Sequence, residues 1–74
     1  MLTSVAKAER VVNIALISKA ATDLARTHER AGLSEVDIVN RAITLYDFID
    51  EELASGAQLL LRRTNGSVYR VELR

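Results

Sequence analysis

His28 is the only imidazole in the chain, and no cysteine is present to join it. A nucleophile needs a base within hydrogen-bond reach, usually brought in from a separate element. The Ser, Asp and Glu neighbours of His28 lie with it on one short predicted helix, with no pocket to hold a substrate. No Gly-rich phosphate loop occurs, and no His, Asp or Glu set has metal-ligand spacing. Catalysis, a metal and a cofactor are therefore not expected, and His28 reads as a boundary residue of its helix. The charged side chains offer binding chemistry instead. Arg62, Arg63, Arg70 and Arg74 stand against Glu72 alone, so the last thirteen residues are net positive. Asp47, Asp50, Glu51 and Glu52 form an acidic run some ten residues earlier. The basic end can contact a nucleic-acid backbone or an acidic partner, or it can be a solvated face paired with the acidic run.

Ten basic and ten acidic residues give a net charge of zero over 74 residues. That is not the balance of a protein that binds nucleic acid by bulk charge. No apolar run approaches the roughly 20 residues a membrane helix needs. The N-terminus "MLTSVAKAER" is too polar for a secretory leader. A cytoplasmic protein is expected.

A chain of this length is one small domain that buries only about 60% of its unfolded surface. Small domains make up the deficit with disulfides, a metal or a second copy. The first two are excluded by composition, which leaves oligomerisation.

These residues must be positioned by a few elements. Residues 1–9 read as a mobile arm carrying Lys7. "VVNIAL", residues 11–16, alternates with period two. Val12, Ile14 and Leu16 share one apolar face, and Val11, Asn13 and Ala15 the other. A strand is expected there, with no hairpin partner nearby, so a second copy is expected to pair with it. Ser18 is expected to cap a first helix over residues 19–31, which Gly32 ends in the left-handed cap position. Its apolar line, Ala21, Leu24 and His28 with Ala25 and Ala31 beside it, is weak. Ser34 then caps a second helix, with Asp37 three residues on and Leu33 placed for a hydrophobic staple to Ile38. Glu35 and Asp37 suit the positive end of that helix. It runs to about Leu53 and is apolar around far more than one stripe, which again asks for a second copy.

"ASGAQ" breaks the helix at 54–58. "LLLRRTNGSVYRVEL" then reads as a β-hairpin about Asn65-Gly66, the preferred type I′ dipeptide. A two-residue loop would set Arg62 opposite Tyr69 and Leu60 opposite Val71. Arg63/Val68 and Leu61/Arg70 would face each other on the other side.

The alternating "VVNIAL", the turn and helix start "AGLSEVDIVNRAI", and their spacing resemble the ribbon–helix–helix family of bacterial, plasmid and phage DNA-binding proteins. The resemblance covers about residues 10–53. It implies an α+β, mainly α fold: an intertwined homodimer built strand–helix–helix, to which residues 54–74 add a C-terminal hairpin. It also implies that the outward ribbon face, Val11, Asn13 and Ala15 of each subunit, reads bases in the major groove. Asparagine can bond adenine in bidentate fashion, and Ala and Val suit the thymine methyl. Arg10 at the ribbon edge and Leu33, Ser34 and Glu35 at the start of the second helix would hold phosphate. Glu35 departs from a helpful pattern, because its charge opposes phosphate. Lys7, Arg62, Arg63 and Arg70 are candidates for further backbone or partner contacts.

The function so implied is sequence-specific repression or autoregulation by a homodimer on double-stranded DNA, with higher-order assembly on DNA open to it. Plasmid, phage and antitoxin-type regulators, the last with a toxin as partner, are of this kind. The rival is a protein-interaction module that has lost its DNA face and binds a partner through the hairpin. Neutral charge, Ala15 and Glu35 favour the rival; Asn13 and the arginines favour DNA.

Overall fold

A computed structural model of the chain describes residues 8–73. In order, these form helix α1 (Ser18–Ala31), helix α2 (Glu35–Ala54) and the strands β1 (Leu60–Arg62) and β2 (Val68–Arg70). The chain divides into two compact units, Met1–Ile43 and Thr44–Arg74, with the boundary inside α2.

The architecture corrects the expected strand–helix–helix order. It is two helices followed by a two-stranded antiparallel sheet. Residues 10–17 form no strand. The reason is that alternation supplies a face but not a partner. A strand exists through ladder hydrogen bonds to a neighbour. Among the described residues the only strand pair is the one that a tight turn closes.

Ser18 is likewise not a cap. It is the first helical residue of α1, and the cap position falls on Ile17, whose backbone is extended (φ −68°, ψ 159°) and whose side chain makes no capping bond. An exposed Lys19–Asp23 ion pair of 2.9 Å, one turn apart, supports this end. Such a pair is worth only about 0.2–0.5 kcal/mol. The far end follows expectation. Gly32 is left-handed (φ 70°), and its N–H donates to the His28 carbonyl at 3.0 Å.

Helix α2 begins as read from the sequence. Ser34 Oγ accepts the Asp37 N–H at 3.1 Å, and the Ser34 carbonyl accepts the Ile38 N–H at 3.0 Å. The helix closes with a Schellman pattern. The Ala57 N–H donates to the Glu52 carbonyl and the Gly56 N–H to that of Leu53, with Gly56 at φ 100°. This pattern satisfies carbonyls that a helix end leaves orphaned.

The hairpin differs from its predicted register by one residue. Leu60 pairs with Arg70, Leu61 with Tyr69 and Arg62 with Val68. Arg63 and Ser67 close a three-residue loop, with the Arg63 N–H donating to the Ser67 carbonyl at 2.8 Å and the Gly66 N–H to that of Arg63 at 2.9 Å. A type I′ turn needs positive φ at both Asn65 and Gly66. Only Gly66 has it, at 92°. Asn65 instead uses its side chain, whose Oδ1 accepts from the N–H and the hydroxyl of Ser67 at 2.9 and 2.8 Å. A turn followed by one left-handed glycine is the usual three-residue solution.

No side chain among the described residues is buried. In the first unit Ala20, Leu24 and Thr27 of α1 are half-buried, as are Leu33, Ile38 and Val39. In the second, Leu53, Leu59 and Val71 are half-buried, and the chain end returns to the end of α2 as a groove lined by Leu53, Ala54, Val71, Glu72 and Leu73. Large apolar side chains stay open on α2, β1 and β2, Val36, Ile43, Leu45, Tyr46 and Phe48 of α2 among them.

Candidate nucleic-acid interface

The segment that precedes α1 carries Arg10, Val11, Asn13 and Ala15, and all four are exposed. The two faces of the alternation are both open to solvent. Val12, Ile14 and Leu16 stand 53%, 60% and 47% exposed, against 85% for Val11. The face expected to be buried is thus the less exposed one, but no element among the described residues covers it.

Asn13 is chemically distinct from the other two asparagines. Asn40 donates its amide to the Val36 carbonyl one helical turn back, at 2.8 Å. Asn65 is spent on the hairpin loop. The Asn13 side chain makes no hydrogen bond among the described residues, and the residue is exposed.

At the start of α2, Leu33 is half-buried, and Ser34 and Glu35 are exposed. Ser34 Oγ is engaged in capping, which takes up the Asp37 amide. An anion arriving here meets the remaining first-turn amides, with the Glu35 carboxylate beside them. This end is therefore a weaker anion site than its helix dipole alone would make it.

The basic residues of the hairpin separate by face. Arg62 and Arg70 lie on one side with Leu60 and Val68, while Arg63 lies on the other with Leu61 and Tyr69. The Arg63 guanidinium sits 4.8 Å over the Tyr69 ring centre, a cation–π contact. Arg70 is ion-paired to Glu72. Arg62 and Arg10 have no partner among the described residues. Lys7, the other cation singled out from the sequence, lies outside the described residues.

Sequence reasoning missed three features. Tyr69 holds Arg63, a pairing hidden by the assumed register. Arg41 keeps a buried Nε without a hydrogen-bond partner, which no periodicity signals. His28 bonds forward to the inter-helix turn. Among the described residues no group of His, Asp and Glu is placed to hold a metal ion, and no helix is long and apolar enough to cross a membrane. Comparison with family models, with characterised proteins and with solved structures gives no match.

Proposed function

We propose that the chain is a DNA-binding regulator, a repressor or autoregulator acting in the cytoplasm, that works as a homodimer. Residues 10–16 carry its base-reading side chains. The Asn13 amide is the observation that carries this reading: of three asparagines it alone makes no side-chain hydrogen bond among the described residues, on an exposed segment between apolar neighbours. An asparagine amide matches the N6 and N7 edge of adenine, and the flanking Val11 and Ala15 suit the thymine methyl. Arg10 stands ready for a flanking phosphate, Arg62 of the hairpin for another, and Leu33, Ser34 and Glu35 frame a weaker anion position.

Exposed apolar side chains support the homodimer: Val36, Ile43, Leu45, Tyr46 and Phe48 of α2 stay open, and a domain this small commonly completes its core with a second copy. Two copies related by a two-fold axis would read a pseudo-palindrome.

Mobility shift on the chain's own promoter, with wild type and Asn13→Ala, tests the reading. Loss of the amide should cost roughly 1–3 kcal/mol on the specific site. It should leave binding to random DNA unchanged, because base contacts specify while phosphate contacts position. Equal binding of both proteins to the same operator would remove residues 10–16 from base reading. It would favour the interaction module that uses the hairpin.

A further inference from the structure

Phe48 lies on the side of α2 that carries Glu51 and Glu52. At about 100° per residue it lies roughly 140° around the helix from Leu53 and opposite the half-buried Val39. It is 64% exposed. Glu51 and Glu52 follow it at three and four residues, the spacings that bring side chains together on a helix, and Asp47 precedes it. Between Asp47 and Glu52 there are four carboxylates and no cation. Asp47, Glu51 and Glu52 have no ion-pair partner among the described residues.

The hairpin presents the complementary surface. From Leu60 to Arg70 it holds three arginines and no acid. On one face Leu61 pairs across the strands with Tyr69, and Arg63 lies over the Tyr69 ring. Leu61 and Tyr69 are 46% and 42% exposed. Arg63 has no carboxylate partner among the described residues. An apolar strip with a positioned guanidinium thus faces outward, and its counterpart, an aromatic ring ringed by carboxylates, faces outward too. Within one chain they leave each other unsatisfied.

We propose that the two surfaces meet between copies: Phe48 of one chain seats against Leu61 and Tyr69 of a second, with Arg63 between the carboxylates of Glu51 and Glu52. Two such contacts, exchanged reciprocally, close a two-fold pair and leave no open end for a filament. Each copy brings acidic side chains of α2 and arginines of the hairpin to the shared surface, so the two surfaces are opposite in sign. Aromatic and arginine side chains are the residues most often found at the energetic centre of interfaces. The inference does not rest on DNA reading, and its test contains no DNA.

Sedimentation equilibrium of the full chain gives the self-association constant at low and high salt. Phe48→Ala and Arg63→Glu should each weaken association by about tenfold or more, as expected for an anchor residue. Arg63→Glu combined with Glu51→Arg should recover most of the loss. The wild type should associate less tightly at high salt. Because the chain has no cysteine, a second measurement stands apart from any loss of folding. Chains with Phe48→Cys and chains with Leu61→Cys, mixed under mild oxidation, should form disulfide-linked heterodimers in preference to homodimers. A monomeric wild type would overturn the proposal. So would folded variants, checked by circular dichroism, that associate unchanged, a charge swap that recovers nothing, or cross-linking without preference for the mixed pair.

Discussion

The His28 imidazole Nδ1 lies 2.6 Å from the Leu33 carbonyl oxygen, five residues on. A carbonyl only accepts, so Nδ1 carries the proton. The bond bridges the left-handed Gly32 and ties the last turn of α1 to the residue just before the Ser34 cap. It gives the lone histidine a structural task at the joint between the helices.

His28→Ala should therefore lower stability by about 0.5–1.5 kcal/mol, the usual net worth of one hydrogen bond. Nitrogen NMR of the neutral ring should show the Nδ1–H tautomer. Gly32→Ala should cost about 1–2 kcal/mol, as expected for a left-handed alanine. No atom lies near enough to clash with the added methyl, so the loss is one of backbone alone, and Gly32→Asn should be milder. A His28→Ala variant as stable as wild type would show the bridge to be idle.

Stability should depend on protein concentration. No side chain among the described residues is buried within one chain; under the proposed homodimer the core forms by association, and mass action would raise the melting temperature with concentration. About a hundredfold dilution should lower it measurably by circular dichroism. A melting temperature independent of concentration would mean that the single chain is stable as it stands.

Ser34 and Glu35 should separate by readout. Ser34→Ala removes the bond to the Asp37 amide and should cost about 1 kcal/mol in thermal or urea unfolding. Glu35→Lys removes a favourable dipole contact, so stability should fall by about 0.3–1 kcal/mol. It should nonetheless strengthen binding to every DNA sequence alike, by replacing repulsion with a cation. Unchanged affinity would place the start of α2 away from phosphate.

Arg62, without a partner among the described residues, is the cleaner probe of hairpin contact with the DNA backbone. Arg62→Ala should weaken binding uniformly across sequences and make the slope of log K against log salt shallower by about 0.9. An unchanged slope would remove the hairpin from the DNA surface.

The hairpin register can be read by NMR. Leu61 and Tyr69 should show cross-strand contacts, not Leu61 and Arg70. Asn65→Ala removes the acceptor of two bonds from Ser67 and should leave the loop amides of Gly66 and Ser67 faster in hydrogen exchange. A Leu61–Arg70 pairing would restore the two-residue loop.

Local features were legible in the sequence because local chemistry decides them. Gly32 stops α1, Ser34 caps α2, and a small-residue break before Gln58 ends α2, since each choice is made within about one turn of chain. A hairpin about Asn65-Gly66 was legible for the same reason. Its register was not, because it turned on which way the Asn65 backbone goes, and the Asn65 side chain settled that by bonding Ser67. Alternation in "VVNIAL" marks faces but carries no information about a partner. Only the three-dimensional arrangement could show that no strand among the described residues pairs with it. The over-wide apolar surface of α2 was visible in composition. That it stays uncovered was decided by the fold, and Arg63 held over Tyr69 depended on the hairpin register. Spacing alone fixes none of these.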